Sequence, residues 1–302
     1  MTRPACQATA ATLLVAALLI VGCRATSNRG DRDSSTLLEN FRPAAGRVYS
    51  GGAPTASAAF EALMKLEIHT IVSVDGARPD TESARTRGMR YVHIPIGYDG
   101  INEHARLSLT RLMKECEGPI YIHCHHGRHR APAAAALACQ TVGLMDRSEA
   151  TAFMRQAGTS AHYVGLWRDV EDFRLPADTS DLPKLVEIAE VDHITAIMAG
   201  IDRAWDRLKT SRASGWQPPA SHPDILPAHE SLLLEEGLRE SARHAGSDAA
   251  PSLRTKLETA EAIARELRSA LLRQDAAIAD RHFHRLRESC RNCHSQHRNG
   301  AE

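Results

Sequence analysis

Aromatic residues are scarce in this 302-residue chain, only 4% of it, and its charges cancel, with 37 Lys and Arg against 37 Asp and Glu. The first shortage removes the stacking platforms on which single-stranded nucleic acids are held. The second removes the basic field that draws a protein to a phosphate backbone. No nucleic-acid partner is therefore expected. Long apolar runs are missing too, apart from one near the N-terminus, which excludes a multi-span membrane protein. Internal repeats and long low-complexity tracts are absent. Hydrophobic residues at 43% and charged residues at 25% are ordinary for folded domains, and the length is enough for two cores.

The N-terminus points to a compartment. Arg3 precedes an apolar run over 8–21 that is short for a bilayer span, so 1–22 reads as a signal peptide. Leu19, Ile20, Val21, Gly22 and Cys23 resemble the bacterial lipobox. That resemblance implies cleavage before Cys23, lipidation of Cys23, and an exported, periplasmic lipoprotein held at a membrane by its anchor. The polar stretch 23–40 reads as a tether. Of the seven cysteines, Cys6 leaves with the signal and Cys23 is lipidated, so Cys116, Cys124, Cys139, Cys290 and Cys293 remain. An odd number in an oxidising compartment implies at least one thiol kept for something other than bridging. Cys116 and Cys139, on helical segments, read as core residues.

Over 41–175, short β-branched runs at 47–50, 70–74, 91–94 and 120–123 alternate with helical periodicity at 57–65, 103–116, 129–141, 147–156 and 162–173. This is the pattern of an α/β domain, a central mostly parallel sheet with flanking helices. The stretch 176–183, with Pro176, Asp178, Ser180 and Pro183, reads as a linker. From 184 to 302 strand signals vanish. Leu253, Leu257, Ala260, Ala264, Leu267 and Leu271 form one helical stripe, and Ile194, Ile197, Ile201, Trp205 and Leu208 form another. With further helices at 229–243 and 277–297, this half predicts an all-α four-helix bundle.

The chemistry of the first half concentrates in His123, Cys124, His125, His126, Gly127, Arg128, His129 and Arg130, between a buried-type strand and an Ala-rich helix. A five-residue loop in that position turns successive backbone N–H groups toward one phosphate, and the helix N-terminus adds its positive dipole end. The same field stabilises negative charge on sulfur, making Cys124 a candidate nucleophile. Arg130 can hold two phosphate oxygens in fork geometry, and Gly127 permits the tight turn. The side chains of His125, His126 and His129 read as packing around an anion site in preference to binding metal.

On these residues the chain resembles the protein tyrosine and dual-specificity phosphatase superfamily, over about 41–174. The resemblance implies a phospho-cysteine intermediate on Cys124, phosphoryl holding by Arg130, loop orientation by His123 and a phosphate-ester substrate. Two positions depart from the pattern. Ala131 stands where that family carries a Ser or Thr that helps the thiolate leave, which implies slow breakdown of the intermediate. The general acid expected upstream falls to Asp99, on the Gly-flanked 95–100 segment, with Asp75 and His104 as reserves.

Near the C-terminus, Cys290, Cys293 and His294 have the spacing for covalent c-type haem attachment: two thioethers and an axial iron nitrogen. A zinc site using Cys290 and Cys293 with His282, His284 or His297, and a plain disulfide, are the alternatives. Placement on the last bundle helix resembles the cytochrome c′ and c-556 family, with Arg298 matching its arginine and His297 replacing its aromatic. The resemblance implies haem c as cofactor, a redox partner, and Met198 as sixth iron ligand. Two functional readings follow: a haem-linked phosphatase serving redox or gas sensing or electron transfer, or a catalytically weak phosphate-binding module attached to an electron-transfer cytochrome.

Overall fold

Strands with both faces covered by helices need apolar character on both faces, and residues 71–72, 91–92 and 120–122 supply it. The computed structural model describes Met1 and residues 37–175, 181–245 and 251–298. The expected signal segment beyond Met1, Cys23, most of the 23–40 tether, and 176–180 of the linker lie outside the described residues. Among the described residues no helix is long and apolar enough to cross a membrane.

The sheet has five strands: β1 (Arg42–Ala45), β2 (Val48–Gly52), β3 (Thr70–Ser73), β4 (Arg90–His93) and β5 (Ile120–Cys124), in the order β1-β2-β5-β3-β4. β5 is central and parallel to β2 and β3, β4 is parallel to β3, and only β1 runs antiparallel. The sheet is thus mostly parallel, as its β-branched runs predict. Six helices accompany it: α1 (Ser57–Lys65), α2 (Thr81–Arg85), α3 (Glu103–Glu115), α4 (Arg130–Thr141), α5 (Arg147–Ala157) and α6 (Val164–Glu171). α4 is buried along nearly its whole length, with Ala131, Ala133, Ala134, Ala135, Ala136 and Ala138 fully covered. Methyl side chains let one helix approach a sheet and neighbouring helices at once, which explains its composition.

The described fold starts before Phe41, because Leu38 is fully buried and the Asn40 amide donates to the carbonyls of Gly127 and Ala157. At the other end the α/β half reaches past the linker expected to end at Pro183. His93 donates its amide to Val186 O and accepts at Nδ1 from Ala189 N, and Arg111 donates to Leu182 O. The His93 bonds lie on the edge strand β4 and the Arg111 bond on α3, so the chain leaves that half only as the next helix begins.

The second half is helical: α7 (His193–Ala213), α8 (Pro227–His244), α9 (Pro251–Leu272) and α10 (Ala276–His297). Asp192 caps α7 by accepting from Thr195 N at 2.9 Å, and Asp275 caps α10 through Ile278 N at 3.0 Å. One apolar cluster runs through all four helices, including Leu208, Leu234, Leu238, Leu257, Leu267 and Leu286. Trp205 of α7 stacks on Phe283 of α10 with ring centroids 4.2 Å apart. Glu235, buried in α8, is held by Arg239, Arg265 and Arg268, which supplies the partners that a buried carboxylate requires.

Candidate active site at the junction of the two halves

β5 delivers Cys124 at the C-terminal edge of the sheet, in register with Gly52 of β2. The following loop turns at Gly127, whose φ of +66° is left-handed, and a Cβ there would lie 2.2 Å from the Gly51 backbone carbon. Loop and strand end touch so closely that the turn has room for glycine alone. Arg130 then opens α4 as its first residue. Cys124 is 3% exposed and Arg130 6%.

The Arg130 guanidinium is boxed in. Nη1 donates to Asp75 Oδ1 at 3.3 Å, the Tyr98 ring lies 4.4 Å from Cζ, and buried Nε has no partner. Burial opposes its charge, yet Tyr98, Asp75, Cys124 and Asp202 together raise its pKa above the ordinary value. Asp75, just past β3, also takes Arg203 Nη2 of α7 at 3.2 Å. Burial alone would raise Asp75, but Arg130 and Arg203 hold it at about 2. It is therefore ionised and engaged, which corrects its place as a reserve proton donor: it positions the arginine.

His123 is buried, with Nε2 2.6 Å from the Tyr91 hydroxyl, and burial lowers it to about 4. His129 Nδ1 accepts from Ser160 N, and its ring lies 4.8 Å from that of Tyr163. Burial, then Arg128 and Arg130, lower His129 to about 4, so both imidazoles are neutral near pH 7. The His125 and His126 side chains turn to the bundle, meeting Asp206 Oδ2 of α7 at 2.7 and 3.1 Å. Arg128 points outward to Glu39. What these four residues bring to an anion is therefore their loop backbone, while their side chains engage neighbours. Asp99 stands exposed on the 97–100 loop, and its carbonyl packs against Gly165 at a point where a Cβ would lie 1.6 Å away. Among the described residues no hydrogen bond joins its carboxylate to the loop over 124–130. His104 is exposed in the first turn of α3.

Four residues that line this region come from the bundle: Asp202, Arg203 and Asp206, which carry no signal in sequence spacing, and Arg298, which the sequence singles out only beside the Cys290 motif. Arg298, at the end of α10, lies 3.8 Å from the centroid of the same Tyr98 ring that faces Arg130. Beside it a cleft of about 660 Å³ separates Ser160, His162 and Tyr163 from Arg291, His294 and Arg298.

The motif on α10 lies next to this junction. Cys290 and Cys293 are free thiols, and Cys290 packs against the bundle's apolar cluster, where burial pushes it up to about 11. His294 is lowered to about 4 by burial and then by Arg298, whose Nη1 lies 3.1 Å from Nδ1. Arg212–Asp280 and Trp205–Phe283 fix the antiparallel register of α7 and α10. Met198 of α7 and Cys290 both pack on the one apolar cluster. His282 instead meets Glu266, His284 meets Arg212, and His297 meets Ser252.

No family model matches the chain, and no curated protein sequence does. Among solved structures it is similar to the catalytic domain of the PP-IP phosphatase Siw14 from S. cerevisiae, at 16% identity over 45% of this chain and 86% of that one, TM-score 0.39. It is also similar to TpbA of P. aeruginosa, at 22% identity over 44% and 92%, TM-score 0.33. A putative phosphatase (DUF442) from Shewanella putrefaciens CN-32 matches at 18% identity over 45% and 90%, TM-score 0.37.

Proposed function

We propose that this chain is an exported phosphatase that hydrolyses phosphate monoesters, aryl esters of the phosphotyrosine type among them, through a phospho-cysteine intermediate. The observation that carries the reading is the buried Arg130 guanidinium, opening α4 one loop after Cys124, with Asp75 on one nitrogen and Nε left without a partner. A buried cation with an unused donor is suited to an oxyanion. In the first step the Cys124 sulfur attacks phosphorus, the S–P bond forms, and the P–O ester bond breaks with its electron pair leaving on oxygen. Asp99 supplies the proton to that oxygen when its loop closes. Water then cleaves the S–P bond, releasing phosphate and the sulfur. Ala131 offers no hydroxyl to this second step, so turnover is slow and intermediate accumulates.

Purified wild-type protein is expected to hydrolyse a generic aryl phosphate and Cys124→Ser to lose at least about 1,000-fold in rate, since the substituted oxygen is a far poorer nucleophile. Equal residual turnover in the two proteins would favour the second reading, which Ala131 supports: a phosphate-binding module without catalysis.

The bundle's donor set fits covalently attached haem. Two unbridged thiols lie one helical turn apart beside a neutral imidazole, and the Met198 thioether packs on the same apolar cluster as Cys290. Cys290 and Cys293 would hold the group covalently, and His294 and Met198 would be its protein ligands; when bound, it supplies one-electron or gas-binding chemistry. Lipid at Cys23 would place the whole at a membrane. Matured in a host that attaches haem c, the protein should keep its haem through denaturation and acid-organic extraction, read from its visible spectrum. Release of the haem, or recovery of haem-free protein, would remove this part of the reading.

A further inference from the structure

His125 and His126 follow Cys124, and the histidine that the sequence sets beside them, His129, turns instead to Ser160 and Tyr163, so a third ligand must come from elsewhere. The fold supplies it: α7 brings Asp206 to them from 81 positions along the chain, with His125 Nε2 at 2.7 Å and His126 Nε2 at 3.1 Å from Oδ2. The three donor atoms all lie within 4.8 Å of one another. Donors of a tetrahedral zinc site stand roughly 3–3.5 Å apart, given metal–ligand bonds of about 2.0–2.2 Å. The outer shell is present as well. His126 Nδ1 meets Glu39 Oε2 at 2.9 Å, the carboxylate–histidine arrangement that orients a ligating imidazole and raises its basicity. Lys209 occupies the other oxygen, Asp206 Oδ1, leaving Oδ2 for the histidines. Arg128 pairs with Glu39 from the solvent side.

The hydrogen-bond inventory sharpens the case. Glu39 and Asp206 are both acceptors when ionised, so His126 between them must carry a proton on each nitrogen or give one nitrogen to a metal. His125 Nδ1 is buried and has no partner. A second triad, His193, Glu240 and His244, is largely exposed, and its carboxylate is already engaged by Arg243.

We propose that His125, His126 and Asp206 form a site for a divalent transition metal of the Zn²⁺ class, which staples the catalytic loop to the first helix of the bundle. A water completes the coordination. The site stands apart from Cys290 and Cys293 and does not depend on the phosphatase reading.

The test uses full-length protein, stripped with chelator and titrated with Zn²⁺ by calorimetry and with Co²⁺ by absorbance. One equivalent should bind with a Kd in the micromolar range or tighter. Asp206→Asn, which preserves size and a hydrogen bond, and His126→Ala should each weaken binding at least about tenfold, with Glu39→Gln losing about tenfold through the outer shell. The Co²⁺ complex should show visible d–d bands without a thiolate charge-transfer band, and binding should persist in Cys290→Ser/Cys293→Ser. Circular dichroism checks that each variant is folded. Absence of saturable binding in the wild type, binding unchanged in Asp206→Asn, or binding lost in the cysteine pair variant or in His244→Ala would overturn the site.

Discussion

Gly127 shows how tightly single residues constrain the candidate site. Its left-handed φ costs an L-residue about 1–2 kcal/mol, and the added methyl would press on the backbone of Gly51. Gly127→Ala is therefore expected to lower the unfolding free energy by at least about 2 kcal/mol in a urea titration, and to weaken phosphate binding by Cys124→Ser protein, read by calorimetry. At this scale the sequence was informative. Cys124, Gly127 and Arg130 are legible because a strand, a loop of fixed length and a helix must follow one another for the chemistry to work. Asp75 is not: one carboxylate after a strand is common, and only the fold reveals that Arg130 and Arg203 meet on it.

Among elements, α7 matters to both halves. Its apolar stripe of Ile194, Ile201, Trp205 and Leu208 was readable as a bundle helix, and its other face, with Arg203 and Asp206, binds the α/β half. Nothing in helical periodicity distinguishes a polar face that meets solvent from one that meets another domain, which is why these residues escaped notice. β1 and α2 were missed for a plainer reason: both are short, and Arg42–Ala45 contains a proline at the edge of the sheet.

The contact between α7 and the loop also sets a pH dependence. Hydrogen bonds to Asp206, and then to Glu39, raise His126 to about 9. A histidine raised in the folded state stabilises fully below its unfolded value near 6.5 and loses that contribution as pH climbs through about 9. Asp206, held below the carboxylate range by these histidines and Lys209 despite its burial, contributes above about 4 and fails as acid protonates it. In chelator, unfolding free energy should therefore fall by about 1–2 kcal/mol between pH 6.5 and 9, a figure reduced for screening at a side chain one-third exposed. Asp206→Asn should flatten that slope in urea unfolding curves.

For the molecule as a whole, the division into an α/β half and a helical half was visible from the switch in hydrophobic period, and the mostly parallel sheet followed from its β-branched runs. How the halves meet was not visible, because the ties are single polar residues: Arg203 on Asp75, Asp206 on His125 and His126, and Arg298 on Tyr98. Arg298 stands out in the sequence only as matching the arginine of the cytochrome c′ and c-556 family, a resemblance that says nothing of a tyrosine facing Arg130. The position of the boundary shifts for a similar reason, since Leu182 meets α3 and Val186 and Ala189 meet the sheet edge through backbone groups that leave no trace in composition.

Asp75 and Arg203 are 128 positions apart in the chain, yet their contact puts a bundle cation one carboxylate away from Arg130. The two halves are consequently not interchangeable modules. Grafting the α/β half onto an unrelated partner would strip a counter-ion from buried Asp75, and random changes in α7, far from Cys124 by sequence, would surface in how Arg130 is held.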